Sequence, residues 1–110
     1  MNKEKQRIAI AEACGWVMKT EQVEHTNWSQ WTETRKFWVS PHRKRGELPD
    51  YLNDLNAMHE AEKVLILDCE WATYLDRLSV IVAEGSLVHA TSAQRAEAFL
   101  RTIGKWEDDE

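Results

Sequence analysis

Two cysteines, two prolines and four glycines are all that this 110-residue chain holds of those types. Cys14 and Cys69 form no CxxC pair and no Cys/His cluster, which excludes a zinc ribbon or a disulfide framework and leaves two reduced core thiols as the expectation. Gly15, Gly46, Gly85 and Gly104 stand singly, with no P-loop, GxGxxG or GxSxG, so a backbone cradle for a triphosphate is not expected. Apolar runs stop at four residues, as in Val64-Leu65-Ile66-Leu67, far short of the ~20 residues that a membrane span needs. The opening Met1-Asn2-Lys3-Glu4-Lys5 lacks the apolar centre of a signal peptide. The expectation is a soluble cytoplasmic protein, in which the sequon Asn27-Trp28-Ser29 is idle. The length suits one domain over residues 1–110, large enough to fold without metals or disulfides, with residues 107–110 as a frayed acidic tail.

Positive charge is also scarce, but unevenly so. The net charge is −5. Residues 1–45 hold nine Lys/Arg and five Asp/Glu, whereas residues 46–110 hold five and fourteen. An acidic chain is a poor general binder of nucleic acid, because phosphate neutralisation supplies most of that affinity. The local patch His42-Arg43-Lys44-Arg45, backed by Arg35 and Lys36, still suits a few phosphates or an acidic protein surface; the competing reading is a solvated loop.

Periodicity predicts a helix over 3–14, with Ile10, Ala13, Cys14 and Val17 at helical spacing and Gly15 closing it. From Trp16 the period falls toward two, and Arg35 to Val39 is a second aromatic and β-branched run, so an antiparallel meander is expected. The polar stretch Glu21 to Thr34 reads as a long connection or a further short strand. Ser40-Pro41 ends the strands, and His42 to Asp50 reads as a loop. A second helix is predicted over Leu52 to Leu65, capped by Asp50 or Asn53, with Leu52, Leu55, Met58 and Leu65 inward. Asp68 is expected to cap a third helix with a Trp71, Tyr74, Leu75, Leu78, Val82 stripe ending before Gly85; Leu87 and Val88 suggest a short strand. Thr91-Ser92-Ala93-Gln94 matches a capping box for a fourth helix carrying Ala96, Phe99, Leu100 and Ile103, with Trp106 as a lid beyond Gly104. The predicted class is α+β, helices layered on a small antiparallel sheet.

Catalytic motifs are not found. His59-Glu60-Ala61-Glu62-Lys63 has Lys where a zincin needs its second histidine, and His25, His42, His59 and His89 show no ligand spacing. Asp50, Asp54 and Glu62 read as helix caps and surface charges. No cofactor or metal is called for. The segment Tyr51 to His59 is the candidate ligand site: Tyr51, Asn53, Asp54, Asn56 and His59 crowd polar groups at a helix start, where amides are free and the dipole favours an anion. Asn offers donor and acceptor together, and Tyr51 can stack. The competing reading makes Asp50 and Asn53 caps and His59 a core histidine. Of six tryptophans, Trp28 and Trp31 stand in polar surroundings; with Arg43 and Arg45 they supply π-faces and guanidinium forks suited to a nucleotide, while cross-strand packing is the plainer alternative.

Leu48 to Leu65 (Leu-Pro-Asp-Tyr-Leu-Asn-Asp-Leu-Asn-Ala-Met-His-Glu-Ala-Glu-Lys-Val-Leu), Ala90 to Trp106 (Ala-Thr-Ser-Ala-Gln-Arg-Ala-Glu-Ala-Phe-Leu-Arg-Thr-Ile-Gly-Lys-Trp) and Cys14-Gly15-Trp16 resemble the phage ABA sandwich domain family. The resemblance implies a small phage or prophage protein with a layered α/β/α sandwich fold and no enzymatic activity established for the family at large. Residues 21–34 depart from the Gly- and Pro-containing hairpin of that family. Two functions are then expected. One is sequestration, without turnover, of a small nucleotide signal of the bacterial host, such as a cyclic nucleotide or an ADP-ribose derivative, as counter-defence by a homo-oligomer. The other is a protein-interaction module that masks a host or phage protein.

Overall fold

The computed structural model describes residues 1–25, 31–82 and 87–108. Among these residues the fold is α+β: four α-helices and a three-stranded antiparallel sheet. The chain divides into two compact units, one of Met1–Cys14 with Leu48–Glu110, the other Gly15–Glu47.

The first unit is helical. Helix α1 (Lys3–Ala13) begins at Asn2, whose Oδ1 accepts from the Lys5 amide at 2.7 Å, and it buries Gln6, Ile10 and Ala11. Helix α2 (Leu55–Leu67) buries Met58, Ala61, Glu62 and Leu65, the i, i+3, i+4, i+7 set of one helical face. Helix α3 (Trp71–Val82) buries Tyr74 and Leu78, and the Trp71 ring lies 5.1 Å from that of Tyr74. Helix α4 (Ser92–Thr102) packs against α1, α2 and α3 alike. Its alanines explain why: Ala96 and Ala98 are small enough to let neighbours close in around Phe99 and Leu100, all four fully buried. Tyr74, Phe99, Ile10, Met58, Leu65, Leu78 and Leu100 are the largest fully buried side chains. Each aliphatic or Phe member contributes ~1.5–3 kcal/mol by leaving water.

Several local signals act as predicted. Thr91 and Gln94 form the reciprocal capping box of α4 at 3.1 and 2.9 Å. Gly15 and Gly104 follow helix ends with φ of 97° and 76°. Others are corrected. Helix α2 starts three residues later than predicted, and its cap is Asp54, not Asp50 or Asn53. The amides of Asn53 and Asp54 are both held by the Asp50 carbonyl, which folds residues 50–54 into a turn before the helix. Leu52 is buried within that turn, whereas Leu55 is 41% exposed. Asp68 ends α2 and does not open α3: Glu70 N donates to Leu65 O at 2.9 Å and Cys69 takes φ 61°, a tight helix-ending turn that uses both residues. Cys69 is consequently exposed and not a core thiol, and Cys14 is only half-buried. Leu87–His89 is a 3-10 turn where a strand was expected. Asp108 accepts from Trp106 Nε1 at 2.9 Å and meets Arg101 at 3.5 Å, so the acidic tail is tied down at that residue. Gly85, Asn27, Trp28, Ser29 and residues 109–110 lie outside the described residues.

The second unit is a ribbon. Strands β1 (Val17–His25) and β2 (Trp31–Val39) pair antiparallel from Val17 opposite Val39 to His25 opposite Trp31. The predicted loop after Pro41 contains a short third strand, β3 (Arg45–Gly46), paired with Trp38 and Val39. Period two marks β1 as a strand, yet it does not mark a buried face: residues 17–22 are all exposed, Val17 by 52% and Met18 by 43%.

One interaction in the helical unit is absent from any local pattern. Arg95 Nη1 lies 3.3 Å from both Glu62 carboxylate oxygens, with the side chains only 10% and 4% exposed. Replacing Glu62 with Leu is expected to lower stability by about 3–5 kcal/mol in denaturant titration, because Arg95 is left charged and buried, whereas adding Arg95→Met recovers most of the loss.

Candidate functional site

The Tyr51 to His59 segment is braced from beneath. Arg7 of α1 donates through Nε to the Pro49 carbonyl at 2.9 Å and through Nη2 to the Leu48 carbonyl. Those bonds hold residues 48–49 against α1 and turn Tyr51 inward, where it is 3% exposed and bonds with Cys14. Burial pushes the Cys14 thiol up to about 11, and the Tyr51 bond acts in the opposite direction. Tyr51 is thus a packing residue, with no ring face open for stacking.

The polar residues that follow serve the helix start. Asn53 Nδ2 donates to both oxygens of the Asp50 carboxylate at 3.2 Å. The Asp54 carboxylate accepts from the amides of Asn56 and Ala57 at 3.0 and 3.4 Å. An anion drawn to the dipole of α2 would therefore meet a carboxylate already bonded to the donors it needs. Asn56 is exposed on the first turn. His59 is neither a core histidine nor an open one: half-exposed, it places Nδ1 3.2 Å from Glu62 Oε1. Lys63 pairs with Glu60 at 2.9 Å.

Glu62 is the residue whose role is corrected most. It is no surface charge but the centre of a buried cluster, joined by His59 at the rim and Arg95 within. Arg95 spends its other donors on the carbonyls of Ala90 (3.2 Å) and Leu87 (2.9 Å). The Tyr74 hydroxyl faces this pair without completing a hydrogen bond. Burial first, and the Glu62 charge second, raise its phenol well above the usual tyrosine range. The hints in the sequence are Glu62 itself, at helical spacing from the inward Met58 and Leu65, and an Arg one position before Ala96.

Two of the hollows on the helical unit hold no predicted site residue. One, about 560 Å³, is lined by Thr73, Asp76, Arg77, Val80, Glu97 and Arg101. Arg101 there already pairs with Glu97 at 3.5 Å and stacks over Trp106 at 5.1 Å. The other, about 330 Å³, lies among Ala9, Glu12, Ala13, Ile103 and Lys105. No group of three His, Cys, Asp or Glu suited to a metal occurs among the described residues.

The predicted cations belong to the ribbon unit. The turn after β2 is closed by Ser40 N to Lys44 O at 2.8 Å, Arg43 N to Ser40 O at 2.9 Å and Lys44 N to Ser40 Oγ at 3.1 Å. These bonds hold Arg43 at φ 64°, a conformation that costs a non-glycine residue about 1 kcal/mol. His42, Arg43, Lys44 and Arg45 are all exposed around it. Arg45 is clamped, its guanidinium 3.7 Å above the Phe37 ring and 3.2 Å from Glu21. Trp31 stands in β2 opposite His25, and Trp28 lies outside the described residues.

Comparison with protein-family models, curated proteins and solved structures returns no match. No helix among the described residues is long and apolar enough to cross a membrane.

Two measurements check this geometry. Asp54→Ala is expected to destabilise the fold by ~1 kcal/mol through loss of the cap, read as a shift of the denaturation midpoint. Iodoacetamide at pH 8 is expected to label Cys69 first, since a thiol pushed from 9.0 to about 11 holds roughly a hundredth of the thiolate. Mass spectrometry should show Cys14 labelling accelerate as pH climbs toward 11.

Proposed function

We propose that this chain is a non-catalytic accessory protein that binds and masks a partner protein through the basic turn at His42–Arg45. The observation that carries the reading is a turn locked by three hydrogen bonds that holds an arginine in a strained backbone and keeps four successive basic or imidazole side chains in solvent. A fixed backbone presents these cations at set positions, so docking orders only their side chains, and that favours a fixed acidic surface over a diffuse counterion cloud. The contrast in charge adds to this. Residues 15–47 hold six Lys/Arg and four Asp/Glu, and the rest of the chain eight and fifteen. The basic ribbon therefore steers association with an acidic partner, and the acidic remainder repels nucleic acid. The family resemblance supports placing the protein among small phage and prophage proteins, acting in the bacterial cytoplasm on a host or phage target.

Sequestration of a nucleotide asks for phosphate at the first turn of α2, where Asp54 stands, and for a stacking face that Tyr51 does not offer. One set of variants separates the two functions. Arg43→Gly removes a cation and the backbone strain together. It is expected to raise stability by about 1 kcal/mol while weakening capture of the partner protein, and Lys44→Glu should weaken capture further with no change in melting temperature. Should a panel of cyclic nucleotides and ADP-ribose derivatives instead raise the melting temperature, and Asn56→Ala abolish the rise, nucleotide sequestration replaces this reading.

A further inference from the structure

The ribbon of the second unit ends at an open edge. Strand β1 pairs with β2 alone, so along Val17–His25 every second N–H and C=O on its outer side lacks a ladder partner among the described residues. A long, exposed edge is a template for another strand, and proteins that stay monomeric blunt such edges with proline, bulges or inward charges. Strand β1 carries no proline and no bulge; its exposed charges, Lys19 and Glu21, oppose pairing in registers that set like charges across the strands and permit it where Lys meets Glu. A two-stranded ribbon is also marginal by itself, and residues 17–22 are exposed on both faces, so little burial holds this one.

We propose that β1 pairs antiparallel with β1 of a second copy of this chain, with Thr20 opposite Thr20 at the two-fold axis. Identical antiparallel strands can meet only in registers that place outward-facing residues opposite one another, so the axis must pass through a residue and not between two. Centred on Lys19, the pairing sets Lys opposite Lys; centred on Glu21, it sets Glu opposite Glu. Centred on Thr20, it sets Lys19 opposite Glu21 twice, Met18 opposite Gln22 and Val17 opposite Val23. Opposite charges directly across strands stabilise a ladder, and like charges destabilise it. Glu21 receives Arg45 from its own ribbon at 3.2 Å, so the added Lys19 approaches its carboxylate from the free side. A row then runs across the joined sheet, from Lys19 of one copy to Glu21, Arg45 and Phe37 of the other. The two ribbons become one continuous sheet in the order β2, β1, β1, β2. The corresponding edge of β2 is stopped by β3 at Trp38 and Val39, which leaves β1 as the edge open along its whole length. The basic turns remain at the outer margins of this sheet, so pairing leaves them available.

Sedimentation equilibrium of the full chain under reducing conditions tests the proposal. A concentration-dependent dimer is expected, and Lys19→Glu, which sets two Glu pairs face to face at an exposed position, should raise the dissociation constant roughly ten-fold or more. In a Cys69→Ser background, Thr20→Cys should cross-link between copies on mild oxidation, because residues opposite one another on the axis stand within disulfide reach. Gln22→Cys, facing Met18, should not. A chain that stays monomeric, a dimer indifferent to Lys19→Glu, or cross-linking through Thr34→Cys in place of Thr20→Cys overturns the proposal.

Discussion

The helical unit depends on the decision to bury a charge pair. Glu62 of α2 and Arg95 of α4 lie thirty-three positions apart in the chain, and neither could enter the interior alone without a penalty of several kcal/mol. Together they can, because Arg95 also donates to the carbonyls of Leu87 and Ala90. One guanidinium therefore fixes the spacing of α2 and α4 and pins the 3-10 turn that leads into α4. An apolar pair of similar volume would hold the helices as firmly but would not demand one alignment, whereas planar donors facing two carboxylate oxygens do. His59 at the rim and Tyr74 within complete the surroundings of that carboxylate.

Much of the polar richness around Tyr51 to His59 serves the same unit. Arg7 reaches two carbonyls, Tyr51 bonds with Cys14, Asp50 gathers Asn53, and Asp54 closes the helix start. Backbone donors taken by a carboxylate are no longer available to a phosphate. Arg43 and Lys44 stand in solvent on a turn closed by the Ser40 bonds, with no ion pair to either among the described residues, whereas Arg45 beside them is paired with Glu21.

Signals confined to a few residues were legible. Thr91 and Gln94 needed only each other to form a capping box, and Gly15 and Gly104 needed only freedom at positive φ. The inward stripe before and along α2 was mostly legible. Leu52, Met58 and Leu65 are buried as expected, but Leu55, the first helical residue after the Asp54 cap, is exposed. Asp68 carried a cap-forming side chain that fitted either the end of α2 or the start of α3. The left-handed backbone at Cys69 settled the choice in favour of the former.

What the amino-acid order determined by itself is the class: helical and extended periods in the observed succession, a meander, and a basic stretch in an acidic chain. Each depends on neighbours within about a turn or a strand pair, and such contacts form wherever the rest of the chain goes. Tertiary structure alone decided how a charge could be held inside. Glu62 stands at helical spacing from Met58 and Leu65 and Glu60 does not, so the inward face is local; that a carboxylate can occupy that face depends on Arg95 arriving from α4, while Glu60 remains in solvent with Lys63. Burial of a charge is a property of its partner's position, and that position is known only once the helices have packed.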